Sequence, residues 1–121
     1  MDDLRYFTFE EFDSPDSPGS GYANMDREFV YCLDEARDIA GIKFEIVSGY
    51  RTPSENRKRG GLTISSHLIG RAADIKCSHI RKRLLIIEAL SMVGFRRFGI
   101  AKDYIHVDND DQKDPAIWII S

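Results

Sequence analysis

Two of the three histidines in this 121-residue chain, His67 and His106, stand where a side chain can be aimed. His67 lies in Ser65-Ser66-His67-Leu68-Ile69-Gly70, a turn-like segment entering a strand, and Asp74 follows seven residues later on that strand. His106 lies in Tyr104-Ile105-His106-Val107-Asp108. There the two-residue period of a strand sends Tyr104, His106 and Asp108 to one face and Ile105 and Val107 to the core. If the two strands are neighbours, His67, Asp74 and His106 converge on one point. Two neutral imidazoles and one carboxylate, with a fourth position open, form the ligand set of a catalytic zinc; a structural zinc is usually closed by cysteines. Such an ion lowers the pKa of its water to about 7 and supplies hydroxide at neutral pH. The residues alone also admit a plainer reading, in which strand-end histidines are satisfied polar groups.

Hydrolysis at such a site needs a carboxylate base and a cation near the developing oxyanion. Asp103, three residues before His106, and Arg51, just after a strand, are the candidates. Alternation puts Asp103 on the opposite face from His106, so its role requires the turn to bend it back. Asp108, on the same face as His106, is the rival base or a partner for a metal-bound imidazole. Tyr50, Tyr104 and Trp118 line a substrate groove or form the half-buried edge of the core. His79 beside Cys77 reads as a surface residue at a helix start. Cys32, among Phe29, Leu33 and Ala36, reads as a small buried hydrophobe.

The elements that must hold these residues follow from periodicity. Asn24 or Asp26 caps an amphipathic helix carrying Phe29, Leu33, Ala36 and Ile39/Ala40, closed by Gly41. Phe44–Ser48 alternates as a short strand and runs into Gly49-Tyr50-Arg51-Thr52-Pro53, where proline opens a short polar helix halted by Gly60-Gly61. Ala72–Lys76 reads as a strand. Ser78 caps a second helix with Ile80, Leu84, Ile87, Leu90 and Val93 before Gly94. Phe98-Gly99-Ile100 and Tyr104–Asp108 pair through a turn at Lys102-Asp103, and Trp118-Ile119-Ile120 adds an edge. Residues 13–21, rich in Ser, Pro and Gly, read as an irregular surface loop. Helix followed by scattered short strands around a second helix predicts one small α+β domain, with a largely antiparallel sheet flanked by two main helices.

Length and composition set limits. One domain of this size buries roughly two thirds of its unfolded surface without disulfide staples, and two cysteines are too few for a disulfide framework. A chain 42% hydrophobic and 31% charged is neither disordered nor fibrous. No apolar run approaches the roughly 20 residues of a membrane span, and Met1-Asp2-Asp3-Leu4-Arg5 lacks the features of a secretory signal. Charge is uneven: residues 49–102 carry twelve Lys/Arg against three Asp/Glu, while residues 1–48 carry four against twelve and residues 103–121 one against five. The basic middle attracts an anionic polymer, glycan or nucleic acid, or pairs with its own acidic flanks, which is the simpler reading.

Ser65-x-His67-x-x-Gly70-x-Ala72-x-Asp74 followed by Asp103-x-x-His106 resembles the signature of zinc D,D-peptidases of the M15 class, which act on bacterial cell-wall peptides. Ser48-Gly49-Tyr50-Arg51-Thr52-Pro53 resembles that family's arginine-bearing segment, and Phe7–Phe12 and Gly60-Gly61-Leu62 have counterparts in its smaller members. The resemblance implies that His67, Asp74 and His106 hold Zn2+, that Asp103 occupies the general-base position, that Arg51 stabilises the oxyanion and that Ser65 contacts substrate; Tyr50 is the groove aromatic expected to join it in binding substrate. It implies a fold shared with hedgehog-type signalling domains. It also implies hydrolysis next to D-alanine in peptidoglycan stems, by a carboxypeptidase or an endopeptidase. The alternative is a non-catalytic wall-binding or signalling domain of the same fold. A monomer is expected, with a peptidoglycan peptide as partner and neither nucleic acid nor membrane. A wall-directed enzyme without an export signal implies phage or prophage origin and release by another factor, or a part of a longer chain.

Overall fold

The computed structural model describes residues 4–121; the extreme N-terminus, residues 1–3, read above for a signal, lies outside the described residues. Four α-helices, α1 (Ser20–Asn24), α2 (Arg27–Ala40), α3 (Pro53–Lys58) and α4 (Ile80–Met92), accompany five strands: β1 (Glu45–Ser48), β2 (Ala72–Lys76), β3 (Arg97–Ile100), β4 (Tyr104–Asp108) and β5 (Ala116–Ile119). Short 3-10 turns occupy Phe9–Phe12 and Ser66–Ile69. No helix among the described residues is long and apolar enough to cross a membrane.

The sheet runs β1-β2-β4-β3-β5. Every pairing is antiparallel except β3 with β5, which is parallel and caps one edge. The α+β class and the mainly antiparallel sheet are as the patterning predicts. The edge strand expected around Trp118 forms as β5, and only its parallel direction is something that alternation does not reveal.

Helix α2 forms where expected. The Asp26 carboxylate accepts the Phe29 N–H at its start, and Gly41 ends it at φ 70°, a left-handed conformation that costs a glycine little. Its buried face is Phe29, Val30, Leu33 and Ala36, while Ile39 points to solvent. Asp34, on the same helix, is buried and accepts the backbone N–H groups of Arg5, Tyr6 and Phe7, which ties the N-terminal segment down.

Two details of α4 differ from expectation. His79, not Ser78, is the N-cap, with its ring nitrogen facing the Lys82 N–H. The buried line is Ile86, Ala89 and Leu90, whereas Ile80 and Leu84 are exposed. Leu84-Leu85-Ile86-Ile87 is apolar at four successive positions, so periodicity leaves the inward face undecided there, and packing against α2 chooses it. Around α2 and α4 the core joins Phe7, Phe12, Phe44, Ile75, Phe98, Ile105 and Val107. Ile75, Phe98, Ile105 and Val107 come from one face of the sheet, and the other face is left for Asp74 and His106.

Candidate metal centre

Register builds the site. Across β2 and β4, Asp74 stands opposite His106, and Ser48 of β1 and Gly99 of β3 extend the same row on either side. Directly opposed residues of an antiparallel pair share a face, with Cβ atoms about 5 Å apart. His67 reaches that row from above. Ser65 Oγ accepts the His67 N–H to start the 3-10 turn Ser66–Ile69, and Gly70 ends it at φ 71°. A Cβ on Gly70 would lie 2.0 Å from the Asn24 carbonyl oxygen. The missing side chain thus clears the α1–α2 connection.

His67 Nε2 lies 3.3 Å and His106 Nδ1 3.0 Å from the same oxygen, Asp74 Oδ1. One ligand atom from each of the three residues lies within 4.8 Å of the others. The remaining nitrogens are committed. His67 Nδ1–H donates to the Gly49 carbonyl at 2.7 Å, and His106 Nε2–H donates to Asp108 Oδ2 at 2.7 Å. Carbonyl and carboxylate oxygens only accept, so in the neutral form of each ring the other nitrogen turns its lone pair toward Asp74 Oδ1. Three electron-rich atoms converging in a buried place can be bridged by protons or share one metal ion. An N2O donor set without cysteine and with room for a fourth ligand fits zinc well.

Burial and hydrogen bonding pull the groups of the site in different directions. Burial lowers the pKa of His67 despite the Asp74 carboxylate beside it. Burial also opposes charge on His106, but the hydrogen bonds to Asp108 and Asp74 outweigh it and raise its pKa. Burial alone would raise Asp74, yet the two imidazoles hold its carboxyl well below the usual range. Asp108 is likewise held low against its burial, by His106 and by Arg97, whose Nε donates to Asp108 Oδ1 at 2.7 Å.

Arg51 belongs to the site. Its Nη2 lies 3.2 Å from Asp74 Oδ2, its Nε donates to Ser48 Oγ at 2.9 Å, and its Nη1 donates to Asn56 Oδ1 at 3.2 Å. Burial depresses its pKa, and Asp74 opposes that shift. A cavity of about 550 Å³ opens onto these groups, lined among others by Arg51, Ser65, His67, Tyr104, His106 and Asp108.

Two residues expected at the site are placed elsewhere. Asp103 is exposed in the β3–β4 turn, where its carbonyl accepts the Cys77 N–H, and it is not among the cavity's lining residues. Tyr50 packs half-buried against the hydrophobic core, and its N–H bonds the Phe12 carbonyl. Tyr104 and Trp118 do line the cavity.

Three contributors went unread in the sequence. Gly49 supplies a carbonyl, and a Cβ there would lie 2.7 Å from Phe12 Cα. Arg97 clamps Asp108, and the β3–β4 register offered a signal for it: Phe98 pairs with Val107, so the next rung brings Arg97 to Asp108. Lys113 bonds the Ser66 hydroxyl and the Ile64 carbonyl across the cavity rim.

The basic segment is partly self-neutralised, as Arg59 meets Glu55, Arg71 meets Asp111 and Arg97 meets Asp108. No curated protein matches the chain significantly. A protein-family model, Peptidase M15, matches residues 5–108, a span that contains all three converging residues together with Arg51 and Asp108. The chain therefore belongs to the M15 peptidase family.

Proposed function

We propose that this peptidase is zinc-dependent and cleaves peptide stems of bacterial peptidoglycan at a bond next to D-alanine. The observation that carries the metal is the convergence of His67 Nε2, Asp74 Oδ1 and His106 Nδ1 with both second ring nitrogens already bonded. The substrate class rests on the resemblance of the Ser65–Asp74 and Asp103–His106 segments to the D,D-peptidase signature. When bound, zinc supplies Lewis acidity toward the scissile carbonyl and lowers the pKa of water.

The chain's own groups divide the remaining work. Arg51, fixed by Ser48, Asn56 and Asp74, presents a buried guanidinium to the cavity and is the donor for the developing oxyanion. The Tyr104 phenol, whose pKa is raised by burial and by Asp74 against the effect of Arg51, keeps its proton at neutral pH and is a second donor. Asp108 holds the proton on His106 Nε2, which leaves Nδ1 to face Asp74. Ser65 fixes the turn that carries His67 and borders the cavity, where it can also meet substrate.

The test is incubation of zinc-loaded protein with purified peptidoglycan, followed by mass identification of the products. Loss of one D-alanine marks a carboxypeptidase, and release of larger fragments marks an endopeptidase. Unchanged peptidoglycan would overturn the substrate assignment, and full hydrolysis by metal-free protein would overturn the metal.

A further inference from the structure

The cavity has an apolar side that the metal chemistry does not use. Trp118 of β5 and Ile120 just after it line the cavity, as do Leu62 and Ile64 of the loop before His67. Leu62 and Ile64 leave 70% and 69% of their surface exposed. Single exposed apolar residues are ordinary, but four bordering one cavity beside polar groups have the composition of a binding site. Trp118 and Ile120 also lie beyond residues 5–108, so this part of the cavity comes from outside the matched segment.

These walls are built rather than draped. Gly99 stands opposite His106 in the β3–β4 register, and a Cβ there would lie 2.9 Å from Trp118 Nε1 and 2.7 Å from Ile120 Cδ1. The missing side chain lets both residues settle beside the metal ligands, with the indole 5.6 Å from the His106 ring. On the other strip, Asn56 donates to the Leu62 carbonyl at 2.8 Å and Lys113 to the Ile64 carbonyl at 2.8 Å. Gly61 makes the first of these contacts possible, since a Cβ on it would lie 2.1 Å from Asn56 Oδ1.

Resting on the peptidase reading above, we infer that Trp118, Ile120, Leu62 and Ile64 form a subsite for an aliphatic side chain on the substrate residue next to the scissile bond. Trp118 sets that preference. A cationic side chain is disfavoured, because the Arg97 guanidinium already lies 4.8 Å over the indole and Arg51 and Lys113 line the same cavity. An aliphatic side chain gains apolar contact with Trp118, Ile120, Leu62 and Ile64 that a polar one of the same size gains less from.

The test uses hydroxamates, which chelate a metal whatever side chain they carry. Acetohydroxamate, N-acetyl-glycine hydroxamate and N-acetyl-leucine hydroxamate are titrated into zinc-loaded protein. The readout is the indole N–H resonance of Trp118, the single tryptophan in the chain, and calorimetry serves where that residue is replaced. The leucine compound is expected to bind about tenfold or more tightly than the glycine compound. In Trp118→Ala, and in Leu62→Ala where an exposed side chain is removed, that ratio should fall toward one, and in Leu62→Ala acetohydroxamate affinity stays within about twofold. Equal affinity for the two compounds in the wild type, or an undiminished ratio in both variants, overturns the subsite alone. Failure of acetohydroxamate to bind overturns the metal reading, and the subsite falls with it.

Discussion

The two imidazoles of the centre are held by opposite means. His67 rides on a 3-10 turn, and its outer nitrogen is bound by a backbone carbonyl, that of Gly49. His106 rides in the middle of a strand, and its outer nitrogen is bound by a side chain, Asp108, itself gripped by Arg97 and by the Asp110 N–H. A backbone brace survives most substitutions and fails only when the chain path moves. A carboxylate brace also raises the basicity of the ring it holds, and one point mutation removes it. The turn side is thus robust and neutral, and the strand side tunable and charged.

Removing either ligand erases the difference and gives the largest effect. His67→Ala and His106→Ala should each abolish stoichiometric zinc by metal analysis and abolish hydrolysis, with the far-ultraviolet circular dichroism of the fold retained. Zinc retained at wild-type affinity in either variant would break the three-residue centre.

The next effect isolates the strand side. Asp108→Ala should weaken zinc binding by about 10- to 100-fold, the range for loss of an outer partner of a metal-bound histidine, as measured by competition with a chelating dye. Asp108→Asn keeps an oxygen able to accept the His106 Nε2–H and should recover part of that loss. Equal losses in the two variants would show that charge, rather than the hydrogen bond, is what His106 requires.

Gly49→Ala probes the turn side, where the damage should appear first as stability. The added Cβ meets Phe12 Cα at 2.7 Å, so the chain must shift, at a cost of about 1–3 kcal/mol in chemical denaturation. Zinc affinity should fall only as far as the Gly49 carbonyl moves from His67. A stability unchanged from wild type would mean that Phe12 yields freely.

The same contrast explains what the sequence discloses. Everything on β4 follows from alternation: Tyr104, His106 and Asp108 face the site, Ile105 and Val107 the core, and the turn at Lys102-Asp103 fixes which β3 residues they meet. The convergence with Asp74 follows once β2 and β4 are neighbours, which nothing short of the whole topology supplies. The brace on His67 is invisible for a different reason. It is a backbone atom of Gly49, placed by the contact of Gly49 with Phe12, 37 positions away in sequence, and no residue type marks a carbonyl. The packing of Tyr50 against the core is equally non-local, since its neighbours there, like the Phe12 carbonyl that its N–H bonds, come from distant parts of the chain. The exposed start of α4 was hidden by an excess of signal: a run of four apolar residues offers more than one face, and only packing decides between them.

The smallest expected effect concerns the two carboxylates that flank His106. Asp108 lies two residues after it, buried and bonded to His106, Arg97 and the Asp110 N–H, whereas Asp103 lies three residues before it, exposed in a turn with its side chain outside the cavity. An odd spacing on a strand points away from His106, and the β3–β4 turn does not reverse that direction because the Asp103 carbonyl is held by the Cys77 N–H. Asp103→Asn should therefore leave zinc affinity unchanged and hydrolysis within about twofold, as for a surface substitution. A tenfold or greater loss of kcat with zinc content intact would reverse the assignment. It would mean that the turn swings Asp103 over the centre when substrate binds, breaking the Cys77 contact, and that the motif spacing records a base the resting turn keeps outside.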